Sequence, residues 1–246
     1  MEWTFNDIDI GKLYAKWAKL GWMVTDEIYS DDVDVEALII ETTTACRYDG
    51  RLLKWLMTWV RDYSDLLNKK RLMRLMDHGD TAVLGAVLEI AIEAGGEHNL
   101  KTVIAKCRPH PKAQVLLVDM EDNPLLREQE KRNGQRAFRH WGLWCSMLEF
   151  YEDAKRTRIW VLEQNRILAI RALFGVGMRS EILGYLLEKS GLDIKQLAVG
   201  VGYAYSAVHK EAGNLVKSGF IEDRTGKEHC LALSRRTRKY LMKIPV

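Results

Sequence analysis

The sequence is poor in proline and cysteine and lacks a long apolar run. Its four cysteines lie far apart without a CxxC pair, which indicates reduced thiols in a cytoplasmic protein and argues against a zinc site. No stretch of about 18 consecutive apolar residues occurs, so we expect no membrane span. The acidic N-terminus, MEWTFNDIDI, lacks the basic and then apolar pattern of a signal peptide. These absences predict a cytoplasmic globular protein.

Sequence motifs for catalysis and nucleotide binding are absent as well. The pairs Gly175-Val-Gly177 and Gly200-Val-Gly202 neither follow a strand of a βαβ unit nor extend to GxGxxG. Turns between helices explain them better than phosphate loops. No nucleophile can be paired with a base. We therefore expect no enzyme and no cofactor.

Possible metal ligands have simpler explanations. His98, Cys107 and His110 match no common metal-site spacing, and no fourth ligand stands out. The residues 77–80, Asp-His-Gly-Asp, are of the types found in hydrolytic metal sites. A glycine that ends one helix and an Asp80 that caps the next account for them more simply. We expect no metal centre.

Length and charge predict two domains of different character. A chain of 246 residues is long enough for two, and its 47% hydrophobic and 29% charged content is ordinary for a globular protein. Residues 161–246 carry 14 Lys and Arg against 8 Asp and Glu, a net charge of +6, whereas residues 1–160 carry −3. A basic module behind a mildly acidic one fits a nucleic-acid-binding domain joined to another domain. Charge alone is equally compatible with a solvated lysine-rich surface.

Residues 1–160 read as an all-α domain. Apolar positions recur at helical spacing, and Asp31 or Asp32 is placed to cap the second helix. Residues 115–119, VLLVD, fit either a short strand or a buried helical turn, and residues 134–156 predict one long helix. The tryptophan pairs 55/59 and 141/144 are each about one turn apart. They fit core packing, a ligand pocket or a dimer face.

From Asp193 to Leu233 the apolar spacing changes from that of two helices to that of a hairpin. The first helix buries Ile194, Leu197, Ala198 and Val201, and the second buries Val208, Ala212, Leu215 and Val216. Gly200 and Gly202 flank the turn between them, where positive φ is useful, and Gly219 ends the second helix. Two short apolar runs around Thr225-Gly226-Lys227 then predict a β-hairpin. With a further helix at 179–187, the order is that of a winged helix-turn-helix.

These segments, RSEILGYLL and IKQLAVGVGYAYSAVHKEAGNLVKSGFIEDRTGKEHCLALS, resemble the DNA-binding core of MarR-like and ArsR-like bacterial transcriptional regulators. The resemblance covers about a third of the chain, from Arg166 to Val246, and specifies a superfamily. The sequence departs from that pattern at two positions. Ala204 stands where the family has Ser or Thr at the start of the recognition helix, unless Ser206 caps a later start, and Gly213 lies inside that helix.

A winged helix places its recognition helix in the major groove and its hairpin along the backbone or minor groove. The predicted groove-facing residues are Tyr205, Ser206, Ala207, His209, Lys210 and, one turn on, Asn214. Lys210 is suited to guanine acceptors, Ser206 to either partner, and Ala207 to a thymine methyl group. The predicted phosphate contacts are Arg224, Lys227 and His229 on the hairpin and Arg235, Arg236, Arg238 and Lys239 after it.

The sequence thus predicts a mainly α protein with a helical domain at 1–160 and a winged helix-turn-helix domain at 161–246. The resemblance implies a transcriptional regulator that binds double-stranded DNA as a homodimer. The N-terminal domain would sense a small-molecule or protein effector, dimerise, or bind a partner. The alternative is a protein-interaction or RNA-docking adaptor whose winged helix does not read DNA.

Overall fold

A computed structural model describes residues 9–24, 29–146, 149–225 and 229–243 of the chain. This described part is mainly helical, with fourteen α-helices, one pair of two-residue strands and one antiparallel hairpin. The chain divides into two compact units, Met1–Arg156 and Thr157–Val246. None of the described helices is long and apolar enough to cross a lipid bilayer.

The N-terminal unit contains eight of the helices. They are α1 (Ile10–Lys19), α2 (Val35–Ala45), α3 (Gly50–Tyr63), α4 (Lys69–Leu75), α5 (Thr81–Glu93), α6 (Lys101–Ile104), α7 (Pro124–Asn133) and α8 (Arg136–His140). The strands β1 (Gln114–Val115) and β2 (Leu143–Trp144) form a parallel pair, with Gln114 opposite Leu143. The expectation of an all-α domain is therefore wrong in this detail. The sequence left residues 115–119 open between a short strand and a helical turn. The structure contains both, because β1 ends at Val115 and a 3-10 turn follows at Val118–Met120.

Aspartates fix where the long helices of this unit begin. The side chains of Asp9, Asp34, Asp49 and Asp80 accept hydrogen bonds from backbone N–H groups in the first turns of α1, α2, α3 and α5. Such caps satisfy donors that have no partner inside the helix. The predicted cap at Asp80 is confirmed. For α2 the prediction of Asp31 or Asp32 is wrong, because Asp34 is the cap.

The core of the N-terminal unit surrounds α5, which is apolar on all sides. Residues from Ala82 to Leu88 are all buried. Trp59 is fully packed, with its ring 4.7 Å from that of Tyr63 and 6.3 Å from that of Trp17. The indole N–H of Trp17 donates to Thr42 over 3.0 Å, so this buried polar group is satisfied. Core packing is thus the role of Trp59.

The long helix predicted for residues 134–156 is wrong. Helix α8 ends at His140, and Gly142 turns the chain with φ of +70°. Trp141 packs against Gly85 of α5 and donates its indole N–H to Glu89 over 2.7 Å. Leu143 and Trp144, which follow Gly142, form β2 and pair with β1. Contacts with distant parts of the chain thus override the local helical pattern.

The C-terminal unit contains six helices and the hairpin within its described residues. They are α9 (Arg158–Gln164), α10 (Arg166–Phe174), α11 (Met178–Glu188), α12 (Ile194–Val201), α13 (Tyr205–Lys217), β3 (Ile221–Thr225), β4 (His229–Leu233) and α14 (Arg235–Leu241). In the hairpin, Ile221 lies opposite Leu233 and Arg224 opposite Cys230. The helices and the hairpin follow one another in the predicted order.

One apolar core joins α10 to α14 and the hairpin. It contains Ile170, Ile182, Leu183, Leu186, Leu187, Leu197, Ala198, Val201, Val208, Ala212, Leu215, Ile221, Leu231, Leu233 and Leu241. The predicted stripes of α12 and α13 form its centre, with Ile194 and Val216 partly buried at its edge. Between α10 and α11, the buried Arg171 pairs with Glu181 over 2.9 Å. The periodicity of the sequence therefore identified this core.

The turn between α12 and α13 uses one of the two glycines predicted for it. Gly202 adopts the left-handed conformation at φ +66°, ψ +40° and ends α12. Gly200 lies inside α12, where a Cβ atom would collide with the ring of Tyr185. A glycine is needed at position 200 because α12 packs closely against α11. The prediction of a turn role for Gly200 is therefore wrong.

Replacing Gly85 by Ala is expected to destabilise the N-terminal unit by about 1–3 kcal/mol, because a Cβ atom there overpacks the core. That atom would lie 2.6 Å from the buried ring of Trp141, which the bond to Glu89 holds in place. Urea unfolding followed by tryptophan fluorescence measures the change, since seven of the eight tryptophans lie in residues 1–156. Gly11→Ala in α1 is the control and should not destabilise, because its nearest atom would lie 3.5 Å away. Equal stability of both variants would contradict the packing.

Candidate nucleic-acid interface

Helix α13 has one buried face and one exposed face. Val208, Ala212 and Leu215 are buried in the core. The opposite face exposes most of the residues predicted for the groove, namely Tyr205, Ser206, His209, Lys210 and Asn214, with Ala207 partly buried beside them. With 3.6 residues per turn, Ser206, Ala207, Lys210 and Asn214 share one side of α13, whereas Tyr205 and His209 lie on a neighbouring side of the same helix.

Aromatic and polar contacts order this exposed face. The ring of Tyr205, which is 56% exposed, stacks on His209 with 6.1 Å between centroids. Asn214 donates to Glu211 over 3.3 Å, and Arg179 of α11 pairs with the same carboxylate over 2.8 Å. Because Arg179 compensates the charge of Glu211, this acidic residue does not cancel that of Lys210. Within the described residues no acidic side chain pairs with Lys210.

The start of α13 has no side-chain cap. Ala204 occupies the N-cap position with φ −60° and ψ +139°, and the helix begins at Tyr205. The alternative later start, with Ser206 as the cap, is wrong. The first N–H groups of a helix carry partial positive charge and bind anions when no side chain caps them. The missing cap therefore leaves a donor site beside Tyr205 and Ser206.

The hairpin presents Arg224 to solvent. Its Nε lies 3.7 Å from a carboxylate oxygen of Glu222, and both side chains are about half exposed or more. An ion pair of this kind contributes little and is easily exchanged for another anion. Lys227 lies outside the described residues. For His229 the structure describes the backbone alone, in β4 opposite Thr225.

Helix α14 divides its four cations between two roles. Arg235, Arg236 and Lys239 are exposed, and the Arg236 guanidinium lies 5.8 Å from the ring centre of Tyr240. Arg238 points inward instead and donates to the backbone carbonyls of Leu186 and Leu187 over 3.3 and 3.4 Å. These carbonyls belong to the last turn of α11, so Arg238 stabilises a helix end. The prediction of a phosphate contact for Arg238 is not supported by this position.

A cleft of about 1180 Å³ lies between α13, the start of α12 and the hairpin. Tyr205, His209 and Gly213 line it from α13, and Arg224 lines it from β3. Lys195 of α12 adds a cation that the sequence reasoning missed. The signal for Lys195 was its place on the polar side of α12, away from the buried residues. At Gly213 a Cβ atom would meet nothing within 4 Å, which leaves this side of the helix open.

Carboxylates also line the cleft, and one of them has a structural role. Asp193 accepts from the backbone N–H of Gln196 over 2.7 Å, and the Gln196 side chain accepts from the backbone N–H of Asp193 over 3.0 Å. This capping box fixes the start of α12. Asp223 lies between Glu222 and Arg224 in β3 and is partly buried. The cleft is therefore mixed in charge, and its cations lie on α12 and the hairpin.

Two of the possible metal ligands of the N-terminal unit, Asp80 and His110, are in contact, but they belong to no larger ligand group among the described residues. Asp80 caps α5 with one oxygen and binds His110 with the other over 3.0 Å. Burial acts to raise the pKa of Asp80, but the hydrogen bond and charge of His110, the Val83 N–H and the charge of Arg47 together hold that pKa below its usual value. No group of three or more His, Cys, Asp or Glu side chains is placed to hold a metal ion anywhere in the described residues.

The cysteines are free thiols in the described part of the chain. Burial raises the pKa of Cys107 to about 12. Burial also raises the pKa of Cys46 strongly. Because the thiolate is the reactive form, neither residue is suited to nucleophilic chemistry at neutral pH.

Comparison of the chain with protein-family models, with curated proteins and with solved structures found no match.

Replacing Ala204 by Ser is expected to raise the free energy of unfolding of the C-terminal unit by about 0.5–2 kcal/mol, because a serine hydroxyl accepts from an N–H group of the first turn. Urea unfolding followed by circular dichroism measures the change. Ala207→Ser supplies the control, since position 207 lies inside α13 and cannot cap it. No gain at position 204, or the same gain at 207, would contradict an uncapped start at Ala204.

Proposed function

We propose that the C-terminal unit is a winged helix-turn-helix and that the protein is a DNA-binding transcriptional regulator. The element order supports the fold: α11, an antiparallel bridge at Leu192, α12, a Gly202 turn, α13 and a hairpin. Leu192 pairs with Leu231 of β4 through an isolated antiparallel bridge at the edge of the hairpin. Winged helices place their second helix before a recognition helix and their hairpin after it.

The exposed face of α13 is the single observation that carries the proposal. A major groove about 12 Å wide admits one α-helix. Tyr205, Ser206, His209 and Lys210 lie in the first two turns of α13, the part that contacts bases in such domains. Lys210 is suited to the acceptors of guanine, and Ser206 to a donor or an acceptor. Asn214 lies one turn further on.

Phosphate contacts are assigned to the surrounding cations. Arg224 on the hairpin and Lys195 on α12 line the cleft beside α13. Arg235 and Arg236 are exposed on α14, and Lys227 belongs to the same set by sequence. The uncapped N–H groups at the start of α13 suit a further phosphate oxygen. The net charge of +6 on residues 161–246 favours a polyanionic partner.

The division of the chain into two compact units supports a regulatory role for the N-terminal unit. The resemblance to MarR-like proteins implies a homodimer on a near-palindromic site in double-stranded DNA. Such a dimer would regulate by occupying a promoter. The N-terminal unit would then modulate binding through a small-molecule or protein effector. Its separate core makes it suited to a role distinct from DNA contact.

An adaptor that docks on protein or RNA is the second candidate. The exposed apolar side chain of Val199 favours it, since 77% of this residue is accessible on α12. A single exposed apolar residue is common on proteins that bind no partner there. The cation-bearing face of α13 favours DNA over this alternative.

Replacing Lys210 or Arg224 by Ala separates the two candidates. Loss of a base contact from Lys210 is expected to cost about 1–3 kcal/mol of binding free energy. Loss of a phosphate contact from Arg224 should lower the slope of log affinity against log salt by about 0.9. Fluorescence anisotropy with labelled duplex DNA across a salt series measures both. Circular dichroism checks that each variant is folded.

Lys12→Ala in α1 serves as the control, because Lys12 is exposed and carries the same charge on the other unit. It should leave affinity unchanged. Unchanged affinity in both the Lys210 and the Arg224 variants would remove this face from the interface. The adaptor reading would then be preferred.

A further inference from the structure

The N-terminal unit contains a cavity of about 540 Å³ with an aromatic lining. Trp55 and Leu117 are buried in its wall, and Tyr14 and Tyr151 are partly buried beside them. The Tyr14 and Trp55 rings meet edge to face with centroids 5.0 Å apart. The volume lies within the range of about 300–1,000 Å³ that is usual for small-molecule sites. Aromatic side chains in such a wall can make stacked or edge-to-face contacts with an aromatic ligand.

Behind this wall, Trp22 holds two of the lining rings in position. It is 3% exposed and stacks on Trp55 with centroids 6.1 Å apart. Its ring also lies 5.7 Å from that of Tyr151. The aromatic wall is therefore a packed layer and does not need a ligand to form.

Among the described residues, Asp49 supplies the one carboxylate that lines the cavity, and its acceptors are occupied. One oxygen of Asp49 accepts from the backbone N–H and the Nε of Arg51 over 2.9 and 3.2 Å. The other accepts from Nη2 of Arg51 over 3.0 Å and from the Tyr14 hydroxyl. Burial acts to raise the pKa of Asp49, but the bonds from Arg51 and Tyr14 hold it below its usual value. Asp49 therefore stays ionised and has little capacity for a ligand donor.

Tyr14 remains a neutral phenol in this network. Burial, aided by the hydrogen bond to Asp49, raises the pKa of Tyr14 to about 12. The Arg51 guanidinium lies 5.2 Å from the centre of the Tyr14 ring, so a cation already occupies this aromatic face. A cationic ligand would be repelled there.

The hydrogen-bonding groups of the cavity that remain available to a ligand are donors. Arg51 has five N–H donors and uses two of its three guanidinium nitrogens on Asp49. Lys54 has three N–H donors and pairs with Glu149 over 2.9 Å. The Glu149 side chain is 78% exposed, so an incoming anion can replace it at little cost. The cavity thus offers positive donors beside aromatic walls.

We propose that this cavity binds a planar aromatic anion of about mononucleotide size. The ring would lie against Trp55 and Tyr151, and its phosphate or carboxylate group would meet Arg51 and Lys54. The proposal concerns the N-terminal unit alone and stands whether or not the C-terminal unit binds DNA. The sequence left a ligand pocket open as one role of Trp55, and this residue lies in the wall of the cavity.

Isothermal titration calorimetry on the full chain tests the proposal with four probes. Adenosine 5′-monophosphate carries both ring and anion, adenosine lacks the anion, and ribose 5-phosphate lacks the ring. Indole-3-acetate replaces the phosphate by a carboxylate. At least one of the two aromatic anions should bind, and adenosine and ribose 5-phosphate should each bind at least tenfold more weakly than it does. The aromatic anion that binds more tightly shows whether the site prefers a phosphate or a carboxylate group.

Lys54→Met supplies the site-specific variant, because it removes a donor and leaves the bonds between Asp49, Arg51 and Tyr14 intact. It should weaken the bound aromatic anion about tenfold. Lys16→Met is the matched control, since Lys16 pairs with Glu41 over 2.7 Å away from the cavity lining. That variant should bind as the unchanged protein does.

Four results would overturn the proposal. They are no binding of either aromatic anion at millimolar concentration, equal binding of adenosine, equal binding of ribose 5-phosphate, and equal effects of the two methionine substitutions. Circular dichroism of both variants excludes unfolding as the cause of a loss.

Discussion

The hydrogen-bonded bridge between Leu192 and Leu231 is the constraint on which the C-terminal unit depends. The Leu231 N–H donates to the Leu192 carbonyl over 2.8 Å, and the Leu231 carbonyl accepts from Gly191 and Leu192 over 3.0 and 3.2 Å. These bonds tie the hairpin to the segment that leads into α12. Because Leu231 is also part of the apolar core, the bridge fixes the hairpin relative to α11, α12 and α13. An isolated two-stranded hairpin would be marginal in water.

The cleft beside α13 is a consequence of this constraint. Its walls are α13, the start of α12 and the hairpin, and the bridge sets the distance between the last two. The proposed reading of DNA needs the same arrangement, since a recognition helix and a hairpin must contact one duplex together. The bridge therefore serves the fold and the proposed interface through the same atoms.

Local patterns in the sequence were sufficient for much of this architecture. The buried stripes of α12 and α13, the cap at Asp80 and the hairpin all arise from neighbouring residues, and all were predicted. The winged-helix reading and its DNA contacts remain predictions, because the exposed face of α13 shows placement and no partner. Lys195 was missed because its role depends on which surface α12 turns toward the hairpin.

Where the sequence misled, distant contacts had decided the structure. The pairing of Gln114 with Leu143 and the packing of Trp141 on Gly85 end a helical pattern that looks continuous from 134 to 156. Gly200 is required by the ring of Tyr185, and Arg238 by the carbonyls of α11. The aromatic cavity depends on Tyr14 meeting Asp49, which is 35 residues away in the chain. No spacing rule reveals such a meeting.

Binding of the unaltered protein to random duplex DNA across a salt series tests the central claim most directly. The account predicts binding at low salt and a steep linear fall of log affinity with log salt, because several phosphates release counterions when the cations of residues 161–246 contact them. A selection for preferred sequences should then enrich a near-palindromic site. No binding at low salt, or an affinity independent of salt, would contradict the assignment of this unit to DNA.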